Sequence, residues 1–555
     1  MRATMMDTPL TITALMRYGT TAYGDHEVIT ATSKGVGEAG GGMRRRPYRE
    51  IGHRAGRLAG ALRGLGVTGD QRVATLMWNN AEHLEAYLAI PSMGAILHTL
   101  NLRLDPTVIG YIAEHAGDEV VIVDSTLVPL LATVLPHAPS IRHIVISDPE
   151  SETTSVRPGP ELARDGRQVH SYEELLAGQP DGFDWPELDE RSAAAMCYTS
   201  GTTGHPKGVV YSHRSMHLHS MAVAMGNVFG LSDQDKVLPV VPMFHANAWG
   251  LPYAAVMAGA ELLMPDRFLQ PAPLAAMIEA ERPTLAGAVP TIWNGLLQHV
   301  RASGGDLSSL RLVPCGGSAV PHALIEAYEK ELGVTIVQAW GMTETSPLGS
   351  VARPPAGLPD DEAWHYRDTQ GRLMCQVEGR LVGDEGAVLP NDGVAVGEVE
   401  VRGPWVTGSY YKDDDPGKFD NGWLRTGDVG TIDPLGYVTL TDRAKDVIKS
   451  GGEWISSMEL ENALMAHPQV SEAAVIGVPD DRWGERPLAA VVLADDVAVS
   501  ADELRAFLAE RVPRWQLPER WSFIAEVPKT SVGKFAKTTM REAYARGDYL
   551  IIEAR

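Results

Sequence analysis

The stretch Tyr198-Thr199-Ser200-Gly201-Thr202-Thr203-Gly204-His205-Pro206-Lys207-Gly208 decides how the rest of the chain is read. Its successive glycines and hydroxyls let backbone N–H groups and side-chain oxygens wrap a polyphosphate, and Lys207 adds a point charge. A small-residue apolar run, Ala193 to Cys197, leads in, and Val209-Val210-Tyr211 leads out as a strand. This is not a Walker A loop. The residue before Lys207 is proline, no Ser or Thr follows, and the next element is a strand where a Walker loop would open a helix.

On either side of this loop the chain alternates between helical and strand-like patterns. Tyr48 to Leu65 places Ile51, Ala55, Leu58, Ala59 and Leu62 at helical spacing and runs out at Gly64 and Gly66. Arg72 to Met77 predicts a strand and Glu82 to Ala95 a helix, while Glu119 to Val123 and Ile141 to Ile146 are short apolar runs of the buried-strand kind. Such alternation favours α/β architecture with parallel pairing. Residues 149–185 and 31–45 are predicted as loops. The second contains Gly35-x-Gly37-x-x-Gly40, but a basic stretch and a proline follow it instead of an apolar helix, so it is read as an insertion and not as a dinucleotide site.

The C-terminal part has a different grain. Ser456-x-x-Glu459 and Ser500-x-x-Glu503 each cap a helix, and Ala473 to Val478, Leu488 to Leu493 and Trp521 to Val527 predict strands. These patterns predict a small α+β lid of about 100 residues, starting near Asp442, on a large body; the resemblance described below places a hinge at 442–446 between a large domain at 1–441 and a small domain at 447–555.

Composition narrows the function. A formal charge of −23 argues against a nucleic-acid coat or an anionic membrane as partner, because the mean field repels phosphate. Hydrophobic residues at 44% with 21% charged are ordinary for a globular protein. Three widely spaced cysteines, Cys197, Cys315 and Cys375, form neither a disulfide framework nor a zinc motif, which points to a reducing compartment. The N-terminus lacks the apolar core of a signal peptide and no apolar run reaches membrane-span length, so the cytoplasm is the expected location.

The glycine- and threonine-rich loop resembles the phosphate loop of the adenylate-forming superfamily: acyl- and aryl-CoA synthetases, peptide-synthetase adenylation domains and firefly luciferase. Four further motifs follow in the family's order. Gln338-Ala339-Trp340-Gly341-Met342-Thr343-Glu344-Thr345 is similar to its adenine and magnesium motif, and Trp423-Leu424-Arg425-Thr426-Gly427-Asp428 to its ribose motif. Asp442-Arg443-Ala444-Lys445-Asp446 looks like its hinge, and Pro528-Lys529-Thr530-Ser531-Val532-Gly533-Lys534 like its C-terminal lysine motif. The resemblance covers about residues 45–545. It implies an α/β fold: a large N-terminal domain of several subdomains with α/β sheets and a small barrel, plus a small mobile α+β C-terminal domain.

The resemblance also assigns roles. Thr199, Ser200, Gly201, Thr202, Thr203, Gly204 and Lys207 would hold the ATP phosphates; Gly317, Ser318 and Ala319, with the 338–344 motif, would hold the adenine. Thr199 and Glu344 would be the Mg²⁺ ligands, in keeping with a cation that takes one or two protein oxygens plus phosphates and water. Asp428 can accept both ribose hydroxyls, with Arg443 on ribose or phosphate. Lys534 would bridge the carboxylate and the α-phosphate where charge peaks in the transition state. Lys445 would be the pivot and Lys449 a second-step contact.

His245, in Pro242-Met243-Phe244-His245-Ala246-Asn247-Ala248-Trp249, resembles the acyl-site motif, where an imidazole orients the carboxylate or gates the thiol's path; Trp249 matches an aromatic that closes the acyl tunnel in long-chain synthetases. No aspartate follows Phe244 to pair a substrate amine, so an unsubstituted fatty or aryl acid is expected. Ser450 to Ser456, with Gly451 and Gly452, resembles the glycine loop of medium- and long-chain fatty acyl-CoA synthetases, where a narrow thiol arm passes. The expected enzyme is therefore an AMP-forming fatty acid–CoA ligase using ATP, Mg²⁺ and CoA, homodimeric, with transient membrane contact. A fatty-acyl-AMP ligase loading a carrier protein and an aryl-acid CoA ligase stay open as alternatives.

Overall fold

A computed structural model describes the 555-residue chain except residues 2, 33–41, 151–161, 200–204, 384, 414, 444–445, 451–452, 495–496, 531–533 and 555, and the side chain of Trp454. The Gly35 to Gly40 insertion, Ser200 to Gly204, Lys445, Gly451 and Gly452 therefore lie outside the described residues.

The first sheet has seven strands, in the order Gln168–Ser171, His143–Ser147, Val120–Asp124, Arg72–Leu76, Ile96–Thr99, Ala193–Tyr198 and Gly208–Ser212. All neighbours pair in parallel except the last, which returns antiparallel after the phosphate loop. Every residue of Val120–Asp124 is buried, as expected of a parallel strand covered on both faces. Helices Ala81–Ser92 and Pro106–Ala116 are crossovers of this sheet. Asn80 caps the first by accepting from the His83 backbone N–H (2.9 Å), and Asp105 with Pro106 opens the second.

The second sheet runs Leu285–Gly287, Lys236–Pro239, Glu261–Met264, Glu27–Ala31 and Met43–Pro47, parallel except for its last strand. That edge strand replaces part of a predicted loop. Three arginines in succession read as loop in the sequence, yet alternation sends them to opposite faces. Arg44 and Arg46 reach Glu82 at 2.7 Å each, and Arg46 also reaches Glu85 at 2.8 Å; Arg45, on the other face, meets Glu27 and Glu281. Arg54 joins from helix Tyr48–Gly64, pairing with Glu85 at 2.7 Å and Glu173 at 2.6 Å. Glu82 and Glu85 are fully buried, and the arginines hold the Glu82 carboxyl at about 2.

The third sheet begins with Val313–Gly316 parallel to Ile336–Gly341. It continues antiparallel through Leu348–Val351, Gly371–Leu373, Tyr437–Arg443, Trp423–Ile432, Gly397–Arg402, Glu378–Val382 and Val388–Leu389. The antiparallel part stands where a small barrel was expected; its described pairings form one open path. Bridges Leu285 to Leu312 and Ala288 to Cys315 tie this sheet to the second.

The fourth sheet is built from residues 448–553, with long strands Val470–Asp480 and Gly484–Leu493 at its centre. Both predicted caps are present: Ser456 accepts from the Glu459 N–H (3.0 Å), and Ser500 and Glu503 form a reciprocal capping box. The last strand of the third sheet ends at Arg443 and the first of the fourth begins at Ile448.

Two predicted boundaries move. The loop expected over 149–185 contains strand Gln168–Ser171 and helix Tyr172–Ala177, capped by Ser171. The strand predicted over Trp521 to Val527 is shorter, Arg520–Phe523.

Arg54→Met should destabilise the large domain by about 3 kcal/mol, because it strips a cation from buried acids. Guanidinium unfolding followed by tryptophan fluorescence measures this.

Candidate active site

A cavity of about 1180 Å³ opens between the large domain and the fourth-sheet unit. Segments from all five motifs line it: Thr199 and Lys207, residues 338–344, Asp428, Arg443, and Lys529 with Lys534. Gly317, Ser318, Ala319, His245 and Trp249 join them. Lys449 is exposed and is not among the lining residues; its backbone N–H donates to Glu485 at 3.0 Å.

At the phosphate loop, the Thr199 hydroxyl accepts from the Lys207 N–H (3.1 Å) and the Thr199 N–H donates back to the Lys207 carbonyl (2.9 Å). The two ends of the loop are thus stapled. The Lys207 ammonium lies 2.5 Å from Asp415 and 3.3 Å from Asp413, and sits 4.9 Å above the Tyr410 ring. The hydrogen bond to Asp415 is the main reason its pKa is raised.

Glu344 is buried, and its Oε1 accepts from the Tyr410 hydroxyl at 2.6 Å. Tyr211, on the strand leaving the phosphate loop, donates to the Thr343 carbonyl at 2.8 Å, so Glu344 and Thr199 are referred to one framework. A carboxylate and a hydroxyl facing one cavity suit a hard cation. Among the described residues no group of three or more His, Cys, Asp or Glu could hold a metal ion unaided. Mg²⁺ would be held by Glu344 and Thr199 together with the phosphates of the substrate.

The adenine motif serves largely as framework. The Gln338 side chain accepts from the Val320 N–H (2.7 Å) and donates to the Thr369 carbonyl (2.6 Å), tying down the loop that carries Ser318 and Ala319. Ala339 lines the cavity, the Met342 N–H donates to the Thr345 hydroxyl at 3.0 Å, and a Cβ on Gly341 would lie 1.8 Å from the Pro347 carbonyl oxygen. The Trp340 indole N–H donates to Asp428 Oδ2 at 2.8 Å, and Arg443 approaches Asp428 Oδ1 at 3.3 Å. Each carboxylate oxygen keeps a second lone pair, so Asp428 is aimed without being exhausted.

Beside His245, residues 246 to 249 all have positive φ, between 42° and 57°. This left-handed turn is anchored from outside. Asn79 accepts from the Met243 N–H (2.7 Å), the Tyr87 hydroxyl donates to the Met243 carbonyl, and the Cys197 thiol donates to Asn247 Oδ1 (3.2 Å). Burial, aided by the charges of Lys534 and Arg103, holds the His245 imidazole down at about 3, so it is neutral at working pH.

Lys534 reaches this centre from the fourth-sheet unit. A Cβ built on Gly317 would stand 3.4 Å from Lys534 Cε, in ordinary van der Waals contact, so the lysine stem lies against this glycine, whose φ of +88° is a left-handed conformation that favours glycine.

Comparison with known proteins identifies the family. Residues 20–411 match the AMP-binding enzyme family, and residues 459–534 match the AMP-binding enzyme C-terminal domain. The chain belongs to the AMP-binding enzyme family. It is 42% identical over 543 residues to a 3-methylmercaptopropionyl-CoA ligase of Ruegeria pomeroyi, covering 97% of this chain and 98% of the relative. A medium-chain-fatty-acid–CoA ligase of Ectopseudomonas oleovorans is 41% identical over 551 residues, covering 99% and 98%. The crystal structure of the anthranilate CoA ligase AuaEII with anthranoyl-AMP superimposes with a TM-score of 0.85 at 26% identity, covering 99% of this chain and 100% of the other. The protein is an AMP-forming acid–CoA ligase that uses ATP, Mg²⁺ and CoA.

Sequence reading missed Tyr410, Asp415 and Lys418, all of which line the cavity. The Lys418 ammonium donates to the Thr426 carbonyl at 3.2 Å, next to the ribose motif. The run Tyr410-Tyr411-Lys412-Asp413-Asp414-Asp415 matches none of the five motifs, and the signal it carries is dense charge beside two tyrosines.

Tyr410→Phe removes a hydrogen bond to a buried carboxylate and should raise the KM for Mg·ATP about three- to tenfold, read by initial rates at varied Mg·ATP. Asp415→Asn should lower the KM for ATP by about twofold, since it frees Lys207 from a partly exposed ion pair worth less than about 1 kcal/mol.

Proposed function

We propose that this ligase activates a medium- or long-chain fatty acid: carboxylate and ATP give acyl-AMP and pyrophosphate, and CoA then takes the acyl group and releases AMP. The observation that carries this is the delivery of Lys534, from a separate unit, into a crevice that joins the phosphate loop to His245 and Trp249. There its ammonium can bridge an attacking carboxylate oxygen and the α-phosphate as negative charge accumulates, which is where stabilisation lowers the barrier. Lys207 and the Ser200 to Gly204 loop hold the β- and γ-phosphates. Asp428, oriented by Trp340, accepts the ribose hydroxyls, and Arg443 lies against the same carboxylate. Glu344 and Thr199 hold Mg²⁺, which when bound neutralises phosphate charge.

The neutral His245 orients the acid carboxylate through hydrogen bonding without adding charge, and Trp249 forms the wall between the carboxylate and the acyl chain. For thioester formation the unit at 447–555 turns about the hinge at 442–446, with Lys445 as pivot. This withdraws Lys534 and brings Lys449 with Gly451 and Gly452 to line the path of the CoA thiol. That Lys534 lines the cavity while Lys449 is exposed and outside its lining supports two working orientations.

The fatty acid is supported by the similarity to the medium-chain ligase and by the absence of an acidic partner for a substrate amine after Phe244. A short thioether acid such as 3-methylmercaptopropionate is the second reading, favoured by the similarity to the Ruegeria pomeroyi enzyme. The same reading makes the enzyme a cytoplasmic homodimer that meets membranes transiently to collect its acid; no described helix is long and apolar enough to cross one.

The test is AMP release across straight-chain acids from acetate to stearate, with 3-methylmercaptopropionate, benzoate and cinnamate, with and without CoA. CoA-dependent release peaking on a fatty acid supports the proposal. A peak on benzoate or the thioether acid replaces the substrate, and acyl-AMP that accumulates untouched by CoA replaces the acceptor with a carrier protein. Lys534→Ala should slow acyl-AMP formation by about 10²- to 10³-fold and leave thioester formation from supplied acyl-AMP near wild type. Equal loss in both halves would rule out the two-orientation mechanism.

A further inference from the structure

We propose that His219 is a positioning residue that locks the acid-binding turn to the nucleotide-binding segment, so that acid and ATP meet in a single mutual geometry. The inference rests on the acid lying against His245 and Trp249, as proposed above.

His219 sits on helix His213–Ala224, which directly continues the strand Gly208–Ser212 leaving the phosphate loop. A reciprocal capping box between Ser212 and Ser215 fixes the start of that helix. The side chain is almost wholly buried, with 1% of the residue exposed. Its Nε2 accepts a hydrogen bond from the Leu348 backbone N–H at 3.2 Å, which leaves the ring proton on Nδ1. Its ring stands edge-on to Trp405 with centroids 5.9 Å apart. Trp405 in turn donates its indole N–H to the Leu348 carbonyl at 3.0 Å, and its own carbonyl accepts from the Ser346 hydroxyl at 2.7 Å. The peptide groups on both sides of Leu348 are therefore held, one by His219 and the other by Trp405.

The opposite edge of the same ring meets the acid side. A Cβ on Gly250 would stand 2.7 Å from His219 Nδ1 and 2.9 Å from Cε1. Gly250, at φ +72°, closes the left-handed turn 246–249 that presents Trp249. Pro347, Leu348, His245 and Trp249 all line the one cavity. A single imidazole thus touches the segment behind Glu344 on one side and the end of the acid turn on the other, and it is carried by the helix that starts at the phosphate loop. Movement of either wall must move the ring, and the ring has no free volume in which to yield.

The ring works through shape and one acceptor lone pair. Burial pushes the His219 imidazole down to about 3, so it carries no charge at working pH. A side chain of similar reach with an acceptor should therefore substitute for it, and an apolar one should not.

The experiment uses the intact ligase with His219→Gln and His219→Leu. KM and kcat are measured for ATP and for the best acid from the survey above, and ATP binding is titrated directly without acid. His219→Leu should raise both KM values and the ATP dissociation constant about three- to tenfold, the loss expected for one buried hydrogen bond. His219→Gln should stay within about twofold of wild type, because its carbonyl can accept from Leu348. A ring with a merely structural role would lower kcat in proportion to the folded fraction and leave both KM values alone. That result, or a Gln variant as impaired as Leu, overturns the proposal. If His219→Leu does not fold, Trp405→Phe removes the other hydrogen bond on Leu348 and must raise the same constants; unmoved constants overturn the proposal equally. Wild-type protein that turns over no acid would defeat the functional reading, while the ATP titration still decides the case for His219.

Discussion

Bringing several anions together inside an acidic protein is the constraint on which the site depends. Three phosphates and a carboxylate must share one crevice in a chain of net charge −23. The protein meets this with cations that already have acidic partners: Lys207 with Asp415, Arg443 with Asp428, Lys529 with Glu472 at 2.8 Å, and Lys537 with Glu461 at 2.8 Å. Each cation is held at a fixed place by its acid, and a phosphate competes for it there. Lys534 comes near a glycine, Gly317, and its charge acts on the buried imidazole of His245. It is carried by the fourth-sheet unit, as the two-orientation mechanism proposed above requires.

The framework around these charges consists of neutral buried hydrogen bonds. Gln338, Trp340 and Trp405 each use a side-chain N–H or amide to hold backbone or carboxylate groups from distant parts of the chain. Such bonds add little net stability individually, but leaving any donor or acceptor unmet costs more, so they define one arrangement sharply. The large side chains of the motif around Gln338 thus act mainly to shape the walls of the cavity.

Much of this was legible in the sequence, for a physical reason. Helix capping needs particular residue types at short fixed spacing, so the Ser456 and Ser500 caps could be read locally, and the loop ending at Lys207 and Asp428, singled out in the same way, line one cavity. The alternating strand and helix patterns of residues 48–147 also survived, because fully buried parallel strands are apolar along their whole length. What escaped depends on contacts between distant residues. Tyr410 has meaning only beside Glu344, 66 positions earlier. His219 lies on a helix with no motif and gains its role from Leu348 and Gly250. The strand Met43–Pro47 was hidden because three arginines read as solvent-facing until Glu82 and Glu85 are placed behind them. The strand Gln168–Ser171 was masked by its Ser-, Pro- and Gly-rich surroundings, although Ser171-x-x-Glu174 carried a capping signal that local reading could have used.

The left-handed turn at 246–249 has a thermal consequence. Residues with a Cβ cost about 1–2 kcal/mol each in that region, so the four together store an appreciable share of the stability of an ordinary domain. That cost is offset locally by Asn79, Tyr87 and Cys197, and by the packing of Trp249 against Gly287. Near Glu344 one non-glycine residue, Ser346, is left-handed, and Asp428 lies in a strand, so the strain there is smaller than over 246–249. Warming should therefore loosen the two ends of the cavity unequally, blurring discrimination among acids while the nucleotide is still gripped.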